Sequence, residues 1–192
     1  MSENYLEEFK MFKKISLVLL GGASFTLFST ATLAGEFMSE DWAKQICTAW
    51  NNDTVLTTQL TQMPNDMFDN EGYKWIKNDA GRGYKIITLS RLGCKTPKIQ
   101  LNIAEKDGKA ICTYGGKPDG KTLNMDVDYY MYASDTDWTC MGTGKCGVMG
   151  SMMTGKLKFK GPKLEAMKVM DPFASFLKLT GKVPATKTAC KK

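Results

Sequence analysis

The sequence predicts an α+β fold, an α/β sandwich in which helices flank a run of short strands. Three observations predict it. Between Phe37 and Trp50, apolar residues recur at three- and four-residue spacing, the helical period. From Tyr84 the period changes to two, and short alternating stretches recur between turn signals. After the Gly161-Pro162 step the helical period returns, with Leu164, Met167 and Met170 three apart.

The first helix is expected over Glu36 to Trp50, with Phe37, Trp42, Ala43, Ile46, Cys47 and Trp50 on its apolar face. Asn51-Asn52-Asp53 ends it. A second helix is expected from Val55 to about Met63, before Pro64. Asn65 to Gly83 is glycine-rich and loop-like, with an isolated Trp75. Tyr84 to Arg91 is the first candidate strand. Ile99, Leu101 and Ile103 alternate with polar neighbours as a half-buried second strand. Asp107-Gly108 is a hairpin tip, and Lys109 to Tyr114 is the return strand. Val127, Tyr129, Met131 and Ala133 alternate as a fourth.

Ser134 is expected as an N-cap, with acidic residues in the first turn behind it. Trp138 and Met141 would face inward, and Gly142 and Gly144 stop the helix. Lys156 to Lys160 is the fifth strand, with Leu157 and Phe159 inward and three lysines outward. Pro162 suits a helix start, where its missing N–H costs nothing. Asp171-Pro172 repeats that device and would break the terminal helix, which continues through Phe173, Phe176 and Leu177.

Composition limits the chemistry. The 192 residues include thirteen methionines and no histidine. There is thus no imidazole base, no Ser-His or Cys-His pair and no histidine metal ligand. All six cysteines (Cys47, Cys94, Cys112, Cys140, Cys146 and Cys190) follow residue 34. Their even number is that of a disulfide framework in an oxidising compartment. Cys140 with Cys146 would close a local loop, and the remaining connectivity is open. A cysteine-only zinc site is the alternative, although no CxxC pair exists.

Export fits the N-terminus. Lys10, Lys13 and Lys14 precede an uncharged apolar run from Ile15 to Phe28, and Thr32-Leu33-Ala34 resembles a cleavage site. The localisation expected is periplasmic or secreted. An uncleaved anchor is the alternative, but the strongly apolar part is shorter than the roughly 20 residues a span needs. The net charge is +6. That is a mildly basic surface, compatible with transient contact with an anionic membrane.

In order along the chain stand "ASDTDW", "TGK" (Thr143 to Lys145), an uncharged spacer, "GKLKFKG" (Gly155 to Gly161) and "LEAMKVM". With the Asp107-Gly108 hairpin and the strand from Val127, this order and spacing resemble the sterol carrier protein 2 family. The match is strongest over Ser134 to Met170 and looser from Tyr84 to Leu179. The resemblance implies a mostly antiparallel five-stranded sheet covered on one face by helices. It also implies a hydrophobic tunnel between them that holds sterols, fatty acyl chains or other lipids. The segments expected are a signal peptide (1–34), an N-terminal helical segment packing on the core (35–83), the lipid-binding domain (84–180) and a basic tail (181–192).

Carried over by position, the tunnel wall comprises Trp138 and Met141, then Met149, Met152 and Met153, then Phe159. Leu164, Met167, Met170, Phe173 and Phe176 would close it from the C-terminal side. Leu101, Ile103 and Met131 complete the candidate lipid-binding set. Methionine suits such a wall because its flexible thioether adapts to irregular shapes.

The function expected is that of an exported, monomeric lipid carrier, with no catalysis, no cofactor, no metal and no nucleic acid partner. The alternatives are an accessory subunit presenting lipid to a membrane-bound enzyme or transporter, and a thiol enzyme. The last lacks any His or CxxC that would activate a thiol. The lysines of Lys156, Lys158 and Lys160, with Lys163 and Lys168, are either a solvated face or a rim that meets anionic headgroups.

Overall fold

Strands β1 (Lys85–Arg91), β2 (Lys98–Lys106), β3 (Lys109–Gly116), β4 (Tyr129–Ala133) and β5 (Lys158–Lys160) form one sheet in the order β3-β2-β1-β4-β5. The computed structural model describes residues 34–62, 74–95, 98–188 and 190. The expected signal peptide lies outside the described residues, Ala34 excepted. Three of the four strand pairings are antiparallel, and β1 with β4 is parallel. The β2–β3 hairpin turns at Asp107 (φ 50°) and Gly108 (φ 71°), the paired positive angles that a two-residue turn of this hand requires.

The register sets the two faces. Ile87 lies opposite Leu101 and Tyr129, Leu89 opposite Ile99 and Met131, and Met131 opposite Phe159. Paired residues share a face, so these apolar side chains, with Lys85 and Arg91, form the face that the helices cover. The opposite face carries Thr88, Ser90 and Gln100, over which the β3–β4 connection passes: the Asp119 N–H donates to Gln100 Oε1 at 3.2 Å.

Helix α1 (Glu40–Asn51) covers the β3 end. Ser39 Oγ accepts from the Trp42 N–H at 3.2 Å, and Glu40 and Asp41 complement the helix dipole. The apolar stripe read from the sequence is buried, but the helix starts at Glu40 because Glu36 pairs with Thr186 instead. α1 lies directly on the strand backbone at Gly115, where a Cβ would collide with the Ala43 carbonyl. Cys47–Cys112 fixes the contact, and Asn51 takes both backbone groups of Cys112: its Nδ2 donates to the carbonyl at 3.0 Å and its Oδ1 accepts at 2.7 Å.

Helices α2 (Asp135–Gly142), α3 (Val148–Met153), α4 (Lys163–Lys168) and α5 (Met170–Lys182) cover the rest. Ser134 caps α2 as expected, accepting from the Asp137 N–H at 3.1 Å. α2 and α5 meet backbone to backbone at Gly142 and Gly181; a Cβ on Gly142 would lie 2.8 Å from the Gly181 backbone. The cysteines pair as Cys47–Cys112, Cys94–Cys190 and Cys140–Cys146. The last is the local loop expected, and no cysteine is left for zinc.

Three local expectations change. Val55–Gln59 is a π-helical turn, a shorter element than the helix expected to Met63, and Met63 lies outside the described residues. Val127 belongs to the turn before β4, because the Asp128 carboxylate is drawn inward to Arg82. The break between the last two helices falls at Val169 (φ −112°, ψ 44°), and Pro172 sits inside the first turn of α5.

Candidate lipid-binding cavity

An apolar cavity of about 40 Å³ lies between the sheet and the helices. Its floor is Ile87, Tyr129, Met131 and Phe159, from three neighbouring strands. Its roof is Ala166, Val169, Pro172, Phe173 and Phe176, from α4, α5 and the residue between them. Trp50, Leu56, Leu60 and Trp75 close it from the N-terminal segment. Aromatic rings occupy the space where the family resemblance implies a tunnel. Trp75 stacks on Tyr129 (5.9 Å between centroids), Tyr129 meets Phe159 edge-on (5.4 Å), Phe159 tilts on Phe173 (5.8 Å), and Trp50 meets Phe176 (5.5 Å). A surface cleft of about 280 Å³ lies beside it, lined by Gln59, Gln62 and Lys168 to Pro172. Val169 and Pro172 line both spaces.

The candidate residues divide into four groups. Met131, Phe159, Phe173 and Phe176 line the cavity. Leu101, Ile103, Trp138 and Met141 are buried in the surrounding core; the Trp138 indole N–H donates to the Ser90 carbonyl at 3.1 Å. Met152 is partly buried against the core, and Met170 lines the outer cleft. Met149, Met153, Leu164 and Met167 are exposed, Met153 to 80% and Leu164 to 68%. The methionine-rich spacer thus faces solvent more than the cavity.

The wall from the N-terminal segment was not singled out from the sequence. Trp75 held its signal: a lone tryptophan in a glycine-rich stretch has to be buried somewhere. Lys85 was also passed over. Its place two residues before Ile87 puts it on the covered face, and it is fully buried.

Lys85 packs against two rings of the cavity wall, Trp75 and Tyr129, without lining the cavity itself. Its Nζ lies 2.5 Å from Glu165 Oε1 and 4.6 Å from the centre of the Trp75 ring. Glu165, on α4, is 5% exposed and also accepts from the Tyr129 hydroxyl and the Asn78 amide. The Tyr129 hydroxyl accepts from the Trp75 indole N–H at 2.9 Å. Burial pushes the Lys85 ammonium below the usual lysine value, against the pull of Glu165. Such a pair is held in place by the cost of leaving either partner alone.

At the other end of β1, Arg91 donates Nε to Asp135 Oδ1 at 2.8 Å and Nη2 to Asp135 Oδ2 at 2.6 Å. It also reaches the Thr188 carbonyl at 2.7 Å. The hydrogen bonds it donates to Asp135 hold its guanidinium more firmly in the charged form.

No family model matches the chain, and no curated protein matches it. Among solved structures it is similar to a crystal structure of sterol carrier protein 2, at 13% identity over 77% of this chain and 99% of the other, with a TM-score of 0.48. It is similar to a conserved hypothetical protein of Thermus thermophilus, described as possibly a sterol carrier protein. There the identity is 15% over 81% of this chain and 96% of the other, with a TM-score of 0.45. A third is the apo form of sterol carrier protein 2 from Yarrowia lipolytica, at 19% identity over 71% of this chain and 88% of the other, with a TM-score of 0.38.

Proposed function

We propose that this protein is an exported carrier that holds a sterol or another apolar lipid between its sheet and its C-terminal helices. The observation that carries this reading is the cavity. Its lining is almost wholly apolar, it is drawn from the sheet, the N-terminal segment and both C-terminal helices, and it shares Val169 and Pro172 with the outer cleft.

At about 40 Å³ the cavity is far below the roughly 300–1,000 Å³ of ordinary ligand sites. Lipid entry therefore requires a wall to move, and α4 is the wall suited to it. It has six residues, it breaks from α5 at Val169, and its Leu164 and Met167 face outward. A lipid burying about 400 Å² of apolar surface would gain roughly 10 kcal/mol at about 25 cal/mol/Å². Immobilisation and opening remove several of these. Micromolar affinity, suited to transfer more than to storage, is the expected result.

Three disulfides fit an oxidising compartment, and the basic and apolar N-terminus supplies the export signal. Lys156, Lys158, Lys160 and Lys163 are exposed, and they form the rim that meets anionic membranes during transfer. This function uses no covalent chemistry.

Tryptophan fluorescence tests the reading directly, because Trp50 and Trp75 line the cavity. Energy transfer from tryptophan to dehydroergosterol should saturate at micromolar concentration. Native mass spectra of protein exposed to sterol, fatty alcohol and phospholipid should show a bound lipid. Spectra that stay free of lipid under all three conditions would end the carrier reading. Transfer from anionic vesicles should slow as salt is raised, since salt screens surface attraction. A rate independent of salt would remove the lysine rim.

A further inference from the structure

Leu164 is 68% exposed and Met167 47% exposed, and both stand on α4. At about 100° per residue, Lys163, Met167, Leu164 and Lys168 fall in that order across one face of the helix. Glu165 and Ala166 fall on the opposite face and are buried. The outer face is therefore an apolar pair set between two lysines. The one carboxylate of α4 is turned inward, with Glu165 Oε1 2.5 Å from Lys85 Nζ. The imbalance extends beyond the helix. From Trp138 to Met170 the sequence has six lysines and one acid, that same Glu165. The next carboxylate, Asp171, is exposed in the first turn of α5 and lines the outer cleft. α3 also exposes Met149 and Met153, but it carries no charge of its own.

We propose that the outer face of α4 docks on an anionic phospholipid bilayer, with Leu164 and Met167 entering the headgroup region and Lys163 and Lys168 meeting the phosphates. Exposed apolar side chains gain by leaving water, and lysines beside them are drawn to anionic lipid. Long lysine stems let the charge stay at the phosphates while the apolar neighbours go deeper. Four side chains are too few for the roughly 800 Å² per partner of a stable protein interface, whereas a bilayer needs no matching shape. Lysines alone would make a contact that salt screens away; α4 adds an apolar anchor that salt does not screen. Lys168 also lines the outer cleft, which shares Val169 and Pro172 with the cavity, so a bilayer on this face lies beside that cleft. The part that docking plays in lipid transfer rests on the carrier reading; the docking face itself does not.

Sedimentation of the protein with phosphatidylcholine vesicles, with and without phosphatidylglycerol, tests this. Binding should require phosphatidylglycerol and persist in part at high salt. Leu164→Ser/Met167→Ser should weaken it by about tenfold or more at low and high salt alike. Lys163→Gln/Lys168→Gln should weaken it at low salt and little at high salt. Lys106→Gln/Lys109→Gln, the same loss of charge at the β2–β3 hairpin, should change it far less. Acyl-brominated lipids should quench Leu164→Trp more than wild type, whose four tryptophans are all buried. Wild-type protein that leaves anionic vesicles unbound overturns the proposal. So does a Leu164→Ser/Met167→Ser variant that binds like wild type, a hairpin variant that loses as much as the α4 lysine variant, or a Leu164→Trp variant quenched no more than wild type. Native mass spectra with sterol, fatty alcohol and phospholipid, recorded without vesicles, read the carrier separately. Docking with no bound lipid ends the carrier reading and supports this one; bound lipid without docking does the reverse.

Discussion

Strand β1 has a buried cation at each end of its covered face, and the two ends are fastened differently. Arg91 has a bidentate partner in Asp135, a side chain 40% exposed, and a bond to the tail at Thr188. Three residues further on, Cys94 is joined to Cys190, so that end is closed covalently. Lys85 is sealed from solvent, and its principal partner sits on a six-residue helix with no disulfide of its own. One end is a clasp built to stay shut. The other is a latch held by electrostatics, next to the cavity. The difference teaches which wall is less firmly tied: α4 carries no cross-link, while the Arg91 end binds the sheet, α2 and the tail together.

Substitutions can break that contrast, and the largest effect should come from the clasp. Cys94→Ser/Cys190→Ser removes a cross-link across 96 residues of sequence, for which chain entropy gives about 4–5 kcal/mol. Urea denaturation should show that loss, with lipid affinity of the folded fraction unchanged. Next comes the latch. Glu165→Ala leaves Lys85 buried without its carboxylate and should cost about 3–5 kcal/mol, whereas Lys85→Met/Glu165→Gln, which keeps an acceptor for Tyr129 and Asn78, should recover most of that loss. If the single and double variants lose the same stability, the latch is not electrostatic.

Smaller effects sharpen the picture at the clasp. Gly181→Ala forces a methyl into the Gly142 backbone and should cost about 1–3 kcal/mol, read as a lower Tm. Ser134→Ala removes the cap of the helix that presents Asp135 and should cost about 1 kcal/mol. Neither change should alter hydrogen exchange in α4 if the two ends are independent.

Much of the fold was legible in the sequence because its signals are local. Alternation marked all five strands, Asp107-Gly108 marked the hairpin, and Ser134 marked the α2 cap. The cavity was less legible because its walls are distant in sequence. Trp50, Trp75, Tyr129 and Phe176 meet only after the chain has folded, and nothing in their spacing brings them together. Helical period put Leu164 and Met167 on one face of α4, but period alone does not say which face is inward. The structure turns Glu165 and Ala166 inward instead, since Lys85 draws Glu165 down.

The asparagine clamp on Cys112 has a consequence for how this protein meets others. β3 is one border of the sheet, and the Asn51 amide occupies both Cys112 backbone groups that an incoming strand would seek. The opposite border, β5, is three residues long and carries Lys158 and Lys160. Both borders are thus poor templates for strand addition. Stickiness between copies through the sheet is suppressed at each side, which leaves helical surfaces to make whatever contacts the protein needs.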